Sequence, residues 1–234
     1  MQKIYLILLI CILPYLVKAQ ITSIGLTAGV NISSSNVYTF ETDAYIIEFG
    51  NIGTGGRFSP GTNIYLNFGA FLEHNILKKY SVSHGIVLHQ YYPSYFIINK
   101  SSDATATAHL AMFTITYTGL LRLYNKGGLR FLAGPGIDIN SISSAPPTFN
   151  DSDLNGLVTQ LQNTFNPVVY YVGAELGYRA GRIDIALKYN LGLSSLTQPL
   201  EYQGASYGIP TRSAFLFLNI GFLVFDKNLR ALKN

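Results

Sequence analysis

Residues 181 to 196, GRIDIALKYNLGLSSL, alternate with a period of two. Ile183, Ile185, Leu187, Tyr189, Leu191 and Leu193 share one parity, while Arg182, Asp184, Ala186, Lys188, Asn190, Gly192 and Ser194 share the other. Successive side chains of a strand point to opposite faces, so this stretch carries one apolar face and one polar face. A sheet of such strands gives its apolar face either to a core or to lipid. Which of the two it is decides the architecture.

The pattern recurs at 23–33, 63–73, 80–92, 113–124, 129–140, 168–179 and 213–225. With 181–196 this predicts eight strands of about 10 to 14 residues, long enough to cross a bilayer when tilted. Three connections are short (74–79, 125–128 and 180–181) and alternate with long ones at about 34–62, 93–108, 141–167 and 195–212. Short turns at one end and long loops at the other are the signature of an up-and-down barrel of the outer membrane.

Charge decides between core and lipid. Asp, Glu, Lys and Arg make up 12% of the chain, about half the ~25% of a soluble domain. That is too few to cover the outside of a soluble barrel, so the apolar face is expected to meet lipid and the polar face to fill the lumen. Closure supplies every backbone group with a partner, which hydrocarbon cannot. The expectation is an all-β protein: an eight-stranded antiparallel up-and-down transmembrane β-barrel over residues 20–225. Its short turns and both termini would be periplasmic and its long loops extracellular.

The start of the chain fits this location. Lys3, an apolar run from Ile4 to Val17 and the small-residue site Val17-Lys18-Ala19 read as a signal peptide over residues 1–19. The run is shorter than the ~20 residues of a spanning helix. Cleavage would remove Cys11, Lys3 and Lys18, leaving 14 basic and 12 acidic residues, a net of +2. Neither a disulfide framework nor a nucleic-acid partner is then expected. Residues 226–234, DKNLRALKN, read as a periplasmic tail.

Candidate sites are few. Arg122, Arg130, Glu175, Arg179, Asp184 and Lys188 share the inward parity of their strands and are expected to pair within the lumen, since unpaired buried charge is costly. The segment 150–167, NDSDLNGLVTQLQNTFNP, carries Asp151, Asp153 and Asn155 at calcium-loop spacing, but Gln162 stands where such a loop has its bidentate glutamate. A helix capped at Asp151 is the plainer reading; no other cofactor is expected. Leu154, Leu157, Val158, Leu161 and Phe165 lie on one face of that helix, as a lid on the barrel mouth or a contact for a partner. The stretch 37–49, VYTFETDAYIIEF, offers a second apolar contact surface. His84 and His89 face opposite sides of one strand, and no pattern sets a serine beside a histidine. GTGG at 53–56 lacks the Lys-Ser/Thr of a phosphate loop.

The stretches GLTAGVN (25–31), LLRLYNKGGLRFLAGPG (120–136), IALKYNLGLSSL (185–196) and LNIGFLVF (218–225) resemble the PorT-like outer-membrane β-barrel family of the Bacteroidota. The resemblance implies the same barrel and location. It implies no common activity, although some members look like accessory components of secretion or gliding machinery. The expected role is a non-enzymatic accessory or structural subunit of a larger envelope complex, in contact with outer-membrane lipid and with other outer-membrane or periplasmic proteins. A small stand-alone transport or lipid-handling barrel is the alternative, and a lipid-modifying enzyme of the outer membrane comes third.

Overall fold

The computed structural model describes residues 20–34, 38–50, 63–77, 80–102, 104–143, 148–209 and 211–227. The expected signal peptide, the GTGG stretch and all of the expected tail beyond Lys227 lie outside them. The elements, in chain order, are β1 (Gln20–Ser34), β2 (Tyr38–Glu41), β3 (Tyr45–Gly50), β4 (Asn63–Leu77) and β5 (Tyr80–Tyr91). Then come β6 (Ser94–Asn99), β7 (Thr105–His109), β8 (Met112–Lys126), β9 (Leu129–Ile142) and the helix α1 (Ser152–Asn163). The chain ends with β10 (Val168–Ala180), β11 (Ile183–Gly192), β12 (Leu200–Tyr202), β13 (Ala205–Tyr207) and β14 (Ala214–Asp226).

Eight of these strands, β1, β4, β5, β8, β9, β10, β11 and β14, form one closed antiparallel barrel, each hydrogen-bonded to its neighbours in sequence order. β14 closes it on β1 through twelve Cα partners from Ser23–Asp226 to Ser34–Ala214. The first and last strands therefore begin and end at the same end as the short turns. Gly127 and Gly128, with φ of +61° and +86°, form a two-residue hairpin between Lys126 and Leu129; this turn needs positive φ at both positions, which glycine adopts without strain.

The distribution of exposure is the reverse of a soluble protein's. Along β11, Ile183, Ile185, Leu187, Tyr189 and Leu191 are exposed while Asp184, Ala186, Lys188, Asn190 and Gly192 are buried. The same holds across the neighbouring strands, where Leu66 is 69% exposed and Ile220 61%. The opposing lumen positions Asn31, Asn67 and Asn190 are almost fully buried. No helix among the described residues is long and apolar enough to cross a membrane, which says nothing against crossing by strands.

The described parts of the long loops carry secondary structure of their own. β2, β3, β6 and β7 form a separate four-stranded sheet, β12 and β13 a hairpin, and α1 packs between them and the barrel mouth. Ile47, Phe49, Tyr95, Ile97, Leu157, Val158, Leu161 and Leu200 of this cap form one continuous buried cluster with Tyr91, Met112, Val169, Phe215 and Phe217 of the barrel. The cap and the upper lumen thus share a core.

Candidate functional site

At the turn end the lumen is closed by charge. Glu73 of β4, 1% exposed, accepts from three guanidinium groups on three strands. Arg122 of β8 donates at 2.7 Å, Arg130 of β9 at 2.6 Å, and Arg179 of β10 donates to both oxygens at 2.8 and 2.9 Å. Arg130 also donates to Asp184 of β11 at 2.5 Å and lies 3.0 Å from Glu175. Arg179 reaches Asp184 at 3.3 Å and lies 4.0 Å from Asp226 of β14. Fork-shaped guanidinium groups suit this work because each can serve two carboxylates in a fixed plane.

Five of the six lumen residues expected from sequence, Arg122, Arg130, Glu175, Arg179 and Asp184, meet here. Glu73 and Asp226 complete the group. Glu73 shares the inward parity of β4, whereas Asp226 has the outward parity of β14 and is turned inward by the register shift that skips Val224. The role of each depends on which strands stand opposite across the lumen, which no local pattern reveals. The sixth expected residue, Lys188, sits higher. Its ammonium donates to Thr118 at 3.2 Å and lies 5.7 Å from the centre of the Phe217 ring.

Above the plug a row of polar groups crosses the lumen. An amide nitrogen can only donate, so Asn31 Nδ2 at 3.3 Å makes His89 Nδ1 an acceptor. Nε2 then carries the proton and donates to Thr116 Oγ1 at 3.1 Å. The Thr116 hydroxyl donates in turn to Asp138 Oδ1 at 2.6 Å. A cavity of about 40 Å³ lies between this row and the plug, bordered by Ser83, Thr118, Glu175, Asp184 and Lys188. It has room for about one water.

An aromatic belt follows. His89 meets Phe215 and Phe217 edge-on at 5.3 and 5.4 Å, and Tyr91 meets Phe215 at 5.6 Å. Tyr171 reaches across to donate to the Tyr117 carbonyl at 2.8 Å. Gly136 makes room for that ring, because a Cβ there would lie 2.2 Å from it.

In the cap, α1 begins where expected. Asp151 Oδ1 accepts from the backbone N–H groups of Asp153 and Leu154 at 2.9 and 3.1 Å, a regular N-cap. Asn155 uses its side chain on both backbone groups of Phe149, and Asp153 is exposed. The three expected calcium ligands are therefore engaged in, or beside, the helix start. Among the described residues no group of three or more His, Cys, Asp or Glu side chains is placed to hold a metal.

The apolar stripe of α1 differs from the partner-contact expectation. Leu157, Val158 and Leu161 are fully buried, Phe165 is 8% exposed and Leu154 is partly covered. The lid reading describes what the stripe does, because the helix completes a core that Ile47, Phe49 and Tyr95 begin. Phe49 packs on Tyr95 with centroids 4.9 Å apart and on Phe165 at 5.9 Å. Burial pushes the Tyr95 phenol above its usual range, so it stays a neutral donor, aimed at the Leu161 carbonyl. The second expected contact surface, 37–49, likewise turns inward as β2 and β3, with Tyr45, Ile47 and Phe49 buried.

Sequence reading missed one pair. β6 and β7 set Ser94 opposite His109, with Ser94 Oγ 3.0 Å from His109 Nδ1. A nucleophilic serine needs an open approach for substrate; Ser94 is 2% exposed, so the pair ties two cap strands together. His84 faces the outer wall, bonded to Tyr117 at 2.7 Å and stacked on His74 at 5.0 Å.

No family model matches the chain, and no curated protein matches it in sequence. What distinguishes the chain is its fold and its interior. Together they define a class: a closed eight-stranded barrel, apolar outside, packed with ion pairs and rings inside, and covered at its mouth.

Proposed function

We propose that the protein is an integral outer-membrane barrel acting as a non-enzymatic accessory or structural subunit of a larger envelope complex, working through its cap and its outer wall. The observation that carries this reading is the closed interior beneath an exposed apolar wall. Among the described residues, charge plug, aromatic belt and cap fill the barrel from the turn end to the mouth, which favours a role for the surfaces. In this reading the turns face the periplasm, the cap faces outside and residues 1–19 are the export signal; the alternation of short turns with long loops supports that orientation. The resemblance to PorT-like barrels supports the same reading.

The test is to tag the C-terminus at the native locus, extract the outer membrane in mild detergent and identify what co-purifies in stoichiometric amount. A stable larger assembly is expected. A lone barrel would end the subunit reading and leave the lipid-handling alternative, which a groove on the outer wall favours.

A further inference from the structure

The outer wall has a marked depression. Ala28 of β1 stands between Phe68 of β4 and Ile220 of β14, a methyl group in a row of large side chains. The strands beneath carry Thr27, Gly69 and Gly221, and a groove of about 500 Å³ opens over them, walled by Leu26, Phe68, Ile183, Ile220 and Phe222. Its walls are almost entirely hydrocarbon.

The groove ends at a cation. Phe222 lines it, and the Arg182 guanidinium carbon lies 6.0 Å from the centre of that ring. Leu223, the next residue, donates its backbone N–H to the Arg182 carbonyl at 2.8 Å. From Ile220 to this point is three strand steps, about 10 Å. Arg182 is exposed and has no carboxylate at ion-pair distance among the described residues.

Among the described residues, the exposed charge around the turn end has one sign. Lys126 and Lys227 are exposed there with Arg182, while Asp226 is buried and faces Arg179. The cap carries Glu41, Asp43, Glu48, Asp151, Asp153 and Glu201 against Lys100 and Arg212. An anion is therefore drawn to the turn end and repelled from the cap.

We propose that this groove binds one phospholipid, with an acyl chain lying over Ala28 and the phosphate on Arg182. The assignment rests on the membrane reading above. A protein segment would call for a rim of polar groups around the apolar centre. Here an apolar depression has a single cation beside its Phe222 wall, which matches an amphiphile with one anionic head. The direction also agrees: head at the turn rim and tail toward mid-barrel, as for a lipid of the leaflet that faces the turns.

The test uses the full-length protein in dodecyl maltoside, given dipalmitoyl phosphatidylglycerol or a diacylglycerol with the same chains, with bound lipid counted by native mass spectrometry. One phosphatidylglycerol per barrel is expected, preferred about tenfold for its charge-assisted hydrogen bonds. Arg182→Gln should remove the preference and Arg182→Lys should keep it. Ala28→Phe should lower retention of both lipids, with Ala28→Leu as the milder variant and gel mobility before and after heating as the check on folding. Equal retention of both lipids by the wild type, an unchanged preference in R182Q, or full retention in A28F would each overturn the proposal. The membrane reading fails by a different sign, a barrel that stays dispersed once detergent is removed.

Discussion

Glu73 organises the closed end. Three arginines from three strands converge on its carboxylate at 2.6 to 2.9 Å. Glu73→Gln keeps the shape but leaves that cluster of cations short of a negative charge. Removing one member of a buried ionic group costs about 3 to 5 kcal/mol, so this variant should unfold at clearly lower temperature or denaturant concentration, followed by the loss of the heat-sensitive gel shift. Arg122→Gln should cost far less, because its side chain is 18% exposed and meets one carboxylate among the ion pairs. Equal losses for the two would sink the view of Glu73 as the centre. Higher in the lumen, Thr116→Val removes the donor to Asp138 and the acceptor for His89. A buried polar group left unmatched costs about 1 to 3 kcal/mol, and the same assay reads it. At this scale the sequence showed which side chains face inward wherever the strands run without a bulge, because parity is local; Asp226, beyond the register shift of β14, escapes it. The sequence did not show that Glu73 on β4 meets Arg179 on β10, since that depends on the barrel having closed.

At the scale of elements, the eight long strands were legible and the cap was not. Ten or more alternating residues make a strong signal, and Ile183–Gly192 keeps its period through the whole of β11. The cap strands are three to six residues long, too short for a period to stand out, and the pairing that joins their hairpins into one sheet links two different loops. β3 pairs with β6 across the whole of β4 and β5. The stripe of α1 was visible, but not what it would meet. Leu161→Ala should leave a cavity in the shared core and cost about 2 to 5 kcal/mol. Limited proteolysis should then cut within the cap while the barrel strands stay intact; simultaneous loss of both would mean that cap and barrel unfold as one unit. Asp151→Ala should cost about 1 kcal/mol through the lost cap. Because Asp151 and Asn155 are engaged in the helix start, chelation with EGTA should leave the protease resistance of the wild type unchanged. A loss of protection on chelation would restore the calcium-loop reading.

At the scale of the whole molecule, the scarcity of charge was the most informative number. With 12% charged residues, and several of those drawn into the lumen plug, the outer wall could only be apolar. Among the described residues three layers fill the axis in series: the plug around Glu73, the rings of Phe215, Phe217, Tyr91 and Tyr171, and the cap. Closures in series have a definite consequence, because opening one leaves the others in place. In planar bilayers the wild type should show no steady current. Glu73→Gln should stay silent as well, because the aromatic belt lies between the weakened plug and the cap. Leu161→Ala should be silent for the converse reason, its loosened cap standing above an intact belt and plug. Steady unitary steps from the wild type would mean that plug, belt and cap all let ions pass, and the transport reading would then replace the subunit reading. Steps from the Glu73 variant alone would place the whole barrier in the charge plug and leave the rings above it with a packing role.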